Sequence, residues 1–167
     1  LLFGAALRRN EAIKLDLQNI KYKDKLIYVE LTNTKNKDDI NQVLPNWAAI
    51  ILKGYATQRT AEGARPEDPL FVGYTRWETP DTQRVTASAM WYRLKTWCKR
   101  LKISHVGTHA GRATAITKLL DDGASHRQVR EFSRHKSIQM VEVYDKRRTK
   151  LSESLGLKLS YKKKKNT

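Results

Sequence analysis

The sequence predicts a mostly helical α+β domain that carries one small three-stranded antiparallel sheet. Two periodicities lead to this expectation. Between residues 20 and 44 the apolar side chains alternate with a period of two, in three runs separated by turns, which is typical of a β-meander. Through most of the remaining chain the apolar residues recur every three or four positions, which indicates helices. At 167 residues the chain is long enough to bury a core.

The first predicted elements are a helical segment and the meander. Over residues 1–17 the apolar side chains fall mostly at helical spacing, with Gly4 as an interruption. Asp24-Lys25 supplies a turn between the first two strands, and the polar stretch 33–39 separates the second strand from the third. The predicted strands are 20–22, 26–31 and 40–44.

A helix over 46–58 follows, with five of its apolar residues predicted to face inward. Gly63, Pro66 and Pro69 mark a loop over 60–69, residues 70–73 form a short buried strand or turn, and 75–83 is a second loop. The five inward residues are Trp47, Ile50, Ile51, Leu52 and Tyr55.

Three helices complete the predicted domain. The clearest covers 86–102, where a single apolar stripe favours a core position for the tryptophans. A helix over 109–122 ends at Gly123, and Ser125 caps a last helix whose core face includes Val129 and Phe132. The stripe of the first of these helices contains Ala87, Met90, Trp91, Leu94, Trp97, Cys98 and Leu101.

The composition indicates a polyanionic partner. Lysine and arginine outnumber aspartate and glutamate by 33 to 17, which gives a formal net charge of +16. Because this surplus is spread along the chain, nucleic acid fits best. No run of about 18 apolar residues could span a membrane, and no signal peptide is present. The start within an apolar segment, without Met, indicates a fragment of a longer protein.

The candidate metal ligands are few. The single cysteine, Cys98, excludes an internal disulfide framework and a Cys-rich zinc site, and its apolar neighbours favour a buried, inert thiol. His105 and His109 lack a third ligand nearby, so no metal site is predicted. His126 is predicted to be a surface residue.

Polar residues suited to a phosphodiester are concentrated in the C-terminal part of the chain. His109 and Arg112, three apart at the start of a predicted helix, fall on one helix face. His135 follows after 23 residues, and Tyr144 after nine more. Thr108 is placed to cap the helix, so the backbone N–H groups of its first turn could point at an anion.

The spacing of these residues resembles the C-terminal motifs of tyrosine recombinases, the phage integrase family. Near the N-terminus Arg8-x-x-Glu11 resembles the first motif of that family, although a surface ion pair is the alternative reading. The turn Thr34-Lys35-Asn36-Lys37 resembles a hairpin that carries a lysine at its tip. An ungapped alignment from the start of this turn selects Lys35, whereas counting back from Pro45 selects Lys37, and the sequence leaves both open.

The resemblance covers residues 1 to about 159. It implies a tyrosine recombinase catalytic domain, with the sheet at one edge of a helical core and without the core-binding domain that usually precedes it. Residues 160–167 are predicted to form a basic disordered tail. Two departures affect packing but remove no catalytic group. Ala110-Gly111 stands where Asp-Leu is usual, and Ser133-Arg134 stands where Leu-Gly usually precedes the second histidine.

The resemblance further implies a reaction that needs neither metal nor ATP. Tyr144 would attack a phosphodiester and leave a 3′-phosphotyrosyl link and a 5′-hydroxyl. Arg8 and Arg112 would neutralise the non-bridging oxygens, since a guanidinium fork matches phosphate geometry. The chain contains no carboxylate cluster for Mg²⁺ and no Gly-x-x-x-x-Gly-Lys loop for ATP. No cofactor is therefore predicted.

The other site residues would handle protons and hydrogen bonds. By the resemblance, Lys35 would be the general acid for the 5′-oxygen, His109 would assist as acid or base, and His135 would hydrogen-bond the phosphate. A positioned lysine or histidine contributes about 10²–10⁴-fold to such a reaction. Glu11 would support Arg8 rather than take part in the chemistry.

The implied protein is an integrase of a bacterium, a phage or another mobile element, cytoplasmic and associated with the nucleoid. Its partner would be a double-stranded DNA recombination site, bound by a tetramer in which the leucine-containing segment 151–159 docks on a neighbouring protomer. A type IB topoisomerase, which relaxes supercoils, shares the residue set. A non-catalytic DNA-binding module is the third reading.

Overall fold

The computed structural model describes residues 1–32, 39–75, 77, 79–104, 107 and 109–145. The chain divides into two compact units, Leu1–Ala115 and Ile116–Thr167. Lys35, Lys37, Thr108 and the predicted C-terminal tail lie outside the described residues.

The described part of the chain contains six α-helices, one 3₁₀ turn and five strands. In chain order they are α1 (Arg9–Ile13), a 3₁₀ turn (Leu17–Asn19), β1 (Ile20–Lys23), β2 (Leu26–Thr32), β3 (Asp39–Val43), α2 (Asn46–Ala61), β4 (Val72–Tyr74), β5 (Pro80–Arg84), α3 (Ala87–Arg100), α4 (Ala110–Asp121), α5 (His126–Ser133) and α6 (Gln139–Glu142).

The predicted three-stranded antiparallel meander is confirmed. Strands β1, β2 and β3 pair in sequence order, with Ile20 opposite Val29 and Leu31 opposite Ile40. Val29 and Leu31 are buried, because alternate residues of a strand point to one face of the sheet. This face packs into the core of the first unit together with the N-terminal segment and α2.

A second, two-stranded sheet was not expected. Strand β5 pairs with β4, whereas the sequence predicts a loop over 75–83. The loop prediction failed because Pro80 and the polar residues after it carry no alternating apolar pattern, and the middle of β5 is exposed. The turn between the strands is closed by a hydrogen bond from Thr75 N–H to the Thr79 carbonyl, 2.9 Å.

The N-terminal segment is less helical than its spacing predicts. Within residues 1–17 the α-helix is limited to the five residues of α1. Ala6 has a φ of +47°, in the left-handed region that a residue with a Cβ occupies at a cost of roughly 1–2 kcal/mol. A helix cannot continue through this conformation. Ala5, Ala6 and Leu7 are fully buried around the bend.

Helix α2 exists as predicted, but its buried face differs from the prediction. Trp47, Ile50 and Ile51 are 53%, 71% and 65% exposed. Leu52 is buried as predicted, whereas Ala48 and Ala49 are buried in place of the other three. The reason is a close approach of the N-terminal segment, because a Cβ added to Gly4 would lie 2.8 Å from the Cβ of Ala48.

Helix α3 begins at Ala87, next to the predicted start at residue 86, and the Thr86 hydroxyl caps it by accepting from the N–H of Ala89 at 3.1 Å. Cys98 is buried, as expected. The core position predicted for the tryptophans is wrong, since Trp91 and Trp97 are 38% and 55% exposed. Each lies beneath a cation of its own helix: Lys95 Nζ is 5.1 Å from the Trp91 ring, and the Arg100 guanidinium is 5.4 Å from the Trp97 ring.

The second unit has a small apolar core of its own, formed by Ile116, Leu120, Val129 and Val141. Two predicted boundaries are confirmed here. Gly123, with a φ of +95°, ends α4, and Ser125 caps α5 through a bond from the N–H of Gln128. No helix among the described residues is long and apolar enough to cross a membrane.

Candidate active site

Arg8 precedes α1 and is held by Glu11. The Arg8 guanidinium lies 2.6 Å from one carboxylate oxygen of Glu11, and the backbone N–H of Arg8 donates to the other at 2.6 Å. The carboxylate therefore fixes both the start of the helix and the side chain. The Arg8 side chain is 41% exposed. Its guanidinium, oriented by Glu11, can therefore contact an anion that approaches from solvent. The contact between Glu11 and Arg8 is present, and the supporting role of Glu11 in catalysis stays a prediction.

Arg112 lies in the first turn of α4 and is only 4% exposed. Its Nη1 donates to the backbone carbonyl of Ala6 at 2.5 Å, across 106 positions of sequence. The left-handed backbone of Ala6 is thus part of the clamp that holds this guanidinium. The carbonyl lies two residues before Arg8, so the fold attaches the second predicted arginine to the segment that carries the first.

Gly111 explains one of the departures from the family pattern. A Cβ at this position would lie 2.9 Å from the Cβ of Leu2 and 3.2 Å from ring atoms of Phe3. A larger residue could not occupy this contact without a shift of the N-terminal segment. The absence of a side chain therefore allows α4 to approach closely enough for Arg112 to reach Ala6.

His109 directly precedes α4 and is exposed. The backbone carbonyl of His109 accepts from the N–H of Ala113 at 2.9 Å, so His109 lies at the N-terminal end of the helix. An exposed imidazole at this end of a helix is available to a substrate anion. The predicted cap Thr108 lies outside the described residues, and so do the two candidate lysines, Lys35 and Lys37.

His135 belongs to the second unit and follows the C-terminal end of α5. Arg134, with a φ of +58°, ends the helix where the family usually has glycine. The Nδ1 of His135 is 2.7 Å from the hydroxyl of Ser133, and Ser133 Oγ donates to the Val129 carbonyl at 2.5 Å. Ser133 is fully buried. The imidazole is therefore fixed to the helix that precedes it.

Tyr144 lies in the turn after α6 and packs against the core of the second unit. Its ring centroid is 5.9 Å from that of His135, at an interplanar angle of 30°. The N–H of Tyr144 donates to the Val141 carbonyl at 2.9 Å. The structure thus brings the predicted nucleophile and the second predicted histidine together in one unit.

Two residues of this unit escaped the sequence reasoning. His126, predicted to be a surface residue, lies with its Nε2 3.0 Å from Oδ2 of Asp145, whose side chain is 4% exposed. Asp145 follows Tyr144 directly, so this pair connects the tyrosine turn to the first residue of α5. An acidic residue beside the predicted nucleophile, in a chain of positive charge, is the signal that could have drawn attention to it.

Among the described residues, no group of three histidine, cysteine, aspartate or glutamate side chains could hold a metal ion.

The family of the chain follows from comparison with known proteins. The model of the phage integrase family matches residues 1–150. The chain belongs to the phage integrase family. The resemblance predicted from the spacing of the polar residues is thereby confirmed.

Relatives within this family are bacterial tyrosine recombinases. Tyrosine recombinase XerC of Corynebacterium glutamicum is 29% identical over 151 residues, which cover 86% of this chain and 44% of the relative. Tyrosine recombinase Synpcc7942_B2651 of Synechococcus elongatus is 28% identical over 147 residues, which cover 87% of this chain and 44% of the relative. The chain thus spans less than half the length of these curated relatives.

Solved structures of recombinases and of a transposon integrase share the fold. XerH recombinase in a post-cleavage complex with palindromic difH substrate matches with a TM-score of 0.72 at 17% identity, over 93% of this chain and 43% of that one. XerA recombinase matches with a TM-score of 0.72 at 18% identity, over 96% of this chain and 56% of that one. The Tn1549 transposon integrase in complex with circular intermediate DNA matches with a TM-score of 0.64 at 20% identity, over 90% of this chain and 54% of that one. The predicted α+β fold class is confirmed.

Proposed function

We propose that this chain is the catalytic domain of a site-specific tyrosine recombinase, an integrase that cleaves and rejoins DNA through a 3′-phosphotyrosyl intermediate. The contact between Arg112 and the Ala6 carbonyl carries this proposal. A buried guanidinium held by the carbonyl two residues before a half-exposed arginine supports a two-arginine site for a single phosphate. Membership of the phage integrase family and the names of the bacterial relatives support it.

The chemistry assigns one step to each group. The phenolic oxygen of Tyr144 gives its proton to a base, for which His109 is the candidate, and attacks phosphorus while the bond from phosphorus to the 5′-oxygen breaks. Arg8 and Arg112 neutralise the non-bridging oxygens during this step. A proton from Lys35, or from Lys37 if that is the lysine at the hairpin tip, leaves with the 5′-oxygen. The phosphotyrosyl bond keeps the energy of the broken bond, so rejoining needs no ATP.

The two histidines flank this reaction. His109, exposed at the entrance of α4, assists as acid or base, and His135 hydrogen-bonds the phosphate near Tyr144. No metal or other cofactor takes part in the proposed reaction. The catalytic domain is residues 1–159, with 160–167 as a basic tail that adds charge toward DNA.

The proposed partner is a double-stranded DNA recombination site. Exchange between two duplexes requires four active sites, so the proposed assembly on DNA is a tetramer, in which segment 151–159 docks on a neighbouring protomer. The recombinases XerH and Tn1549 integrase were solved with DNA, which supports this class of partner. The relatives are bacterial, and a cytoplasmic, nucleoid-associated protein of a bacterium, a phage or another mobile element fits that origin.

Covalent trapping tests this proposal. A nicked duplex prepared from the DNA that flanks the gene loses its short 5′-hydroxyl strand on cleavage, so the protein stays attached. The unsubstituted chain is expected to form an adduct and Tyr144→Phe to form none, while Tyr161→Phe serves as the matched control. An adduct with Tyr144→Phe, or its loss with Tyr161→Phe, would refute the assignment of the nucleophile.

A supercoil-relaxation assay run beside a two-site recombination assay separates the proposed recombinase from the alternative type IB topoisomerase. We expect recombination of paired sites. Relaxation without any recombinant product would favour the topoisomerase. Binding of duplex DNA without an adduct would favour the non-catalytic module.

A further inference from the structure

The buried hydroxyl of Ser133 has a fixed proton. Its Oγ lies 2.5 Å from the carbonyl oxygen of Val129, at the short end of O–H···O hydrogen bonds. A carbonyl oxygen carries no hydrogen, so the proton between these two oxygens belongs to Ser133. The bond runs back by four residues along α5, a common arrangement for serine in a helix. Since Ser133 is fully buried, water does not compete for this proton.

The position of the Ser133 proton determines which ring nitrogen of His135 is protonated. Ser133 Oγ is also 2.7 Å from Nδ1 of His135. A serine hydroxyl donates once and accepts through its lone pairs. Because its one hydrogen points to Val129, Ser133 accepts in the contact with the imidazole, and the hydrogen in that contact sits on Nδ1.

We propose that Ser133 is a positioning residue that holds His135 as the Nδ1–H tautomer. The backbone assists, since the N–H of His135 donates to the Arg130 carbonyl at 3.1 Å and the left-handed Arg134 turns the chain back toward the helix. Nε2 is then the nitrogen on the far side of the ring from Ser133. It accepts a hydrogen bond when the ring is neutral and donates when the ring carries a second proton.

The consequence for catalysis rests on the proposed function. Ser133 stands where the family usually has leucine, which cannot accept a hydrogen bond, so this device belongs to the chain described here. It assigns Nε2, and not Nδ1, as the atom that faces the phosphodiester beside Tyr144, where it donates to a phosphate oxygen once the ring carries a second proton. Without Ser133 the ring can exchange tautomers and rotate, and a smaller fraction of molecules has the productive arrangement.

Nitrogen NMR of the ¹⁵N-labelled 167-residue chain tests the tautomer without any DNA. The signal of His135 is assigned by its loss in His135→Asn. In the neutral ring we expect Nδ1 to be protonated in the unsubstituted chain and in Ser133→Thr, which keeps the hydroxyl. In Ser133→Ala the signal is expected to shift toward the Nε2–H form. An Nε2–H ring in the unsubstituted chain overturns the proposal, whatever the stability of the variants.

The rate of adduct formation on the nicked flanking-DNA duplex tests the consequence. At saturating duplex we expect Ser133→Ala to be slower by about 10-fold, with Ser133→Thr and the matched control Ser137→Ala close to the unsubstituted chain. Equal rates for Ser133→Ala and the unsubstituted chain would refute the positioning role. Absence of any adduct with the unsubstituted chain would refute the proposed function and leave the NMR result to decide the tautomer alone.

Discussion

Arg112 contacts the Ala6 carbonyl, and the proposed function adds a phosphate contact that a lysine could not combine with it. Its fork donates to the Ala6 carbonyl while the remaining N–H groups keep a fixed direction. The cost of this arrangement falls on Ala6, which adopts a left-handed backbone although it carries a Cβ. Strain at a residue that orients a predicted catalytic group is consistent with a functional reason for the bend.

Substitution of Arg112 by lysine should therefore disable the site without unfolding the chain. A point charge that contacts Ala6 cannot also bind two phosphate oxygens, so we expect adduct formation to fall by at least about 100-fold. Single-turnover trapping measures the rate. Arg65→Lys, at a side chain that is 71% exposed, is the matched control and should be unchanged. Equal rates for the two variants would show that Arg112 is a structural residue.

At the scale of the element, the packing of α4 on the N-terminal segment depends on Gly111. Replacement of Gly111 by alanine puts a Cβ 2.9 Å from that of Leu2, and the forced shift should lower the free energy of unfolding by about 1–3 kcal/mol. Gly54→Ala is the matched control, because it lies inside α2 with nothing within 4 Å of the added Cβ. It should raise the free energy of unfolding by about 0.5–1 kcal/mol. Urea titration of both variants measures the difference, and a stabilising Gly111→Ala would contradict the close approach.

The connection between α5 and the tyrosine turn depends on His126. Its removal takes one partner from the buried carboxylate of Asp145, and we expect His126→Ala to lower the free energy of unfolding by about 1–2 kcal/mol. Arg127→Ala, at the neighbouring position and 80% exposed, should change it by less than about 0.5 kcal/mol. Equal changes in the free energy of unfolding for the two variants, measured by denaturant titration, would mean that the contact between His126 and Asp145 does not stabilise the fold.

The elements that the sequence predicted well are those with local signals. The cap at Ser125 and the stop at Gly123 depend on a few adjacent residues, and both appear as expected. The faces of α2 and α3 depend on what packs against them from distant parts of the chain. The contact of Gly4 with Ala48 decides the face of α2, and no periodicity within that helix contains this information.

The same division holds for the candidate site. The spacing of Arg8, His109, Arg112, His135 and Tyr144 was sufficient to predict the family, which the comparison confirms. The clamp of Arg112 on Ala6 joins positions 106 apart, and the buried Asp145 contacts His126 at the start of α5. Neither contact can be read from a local sequence pattern. The catalytic roles assigned to the site residues stay predictions.

At the scale of the whole molecule, the net charge of +16 predicts a steep dependence of DNA binding on salt. Each neutralised phosphate releases counterions, so a chain that contacts about six phosphates should lose roughly 10³-fold in affinity between 50 and 200 mM salt. Fluorescence anisotropy with a labelled duplex measures this slope. A scrambled duplex should give a similar slope, because phosphate contacts carry no sequence information. Affinity that hardly changes with salt would contradict binding through the basic surface.

The central claim is that Tyr144 takes the 3′-phosphate of a cleaved strand within a site neutralised by two arginines. Its most direct test is mass spectrometry of the trapped adduct after digestion with nuclease and protease. We predict a nucleotide joined through its 3′-phosphate to the peptide that contains Tyr144, with a 5′-hydroxyl on the released strand. A nucleotide on another residue, or a 5′-phosphate link, would contradict the account.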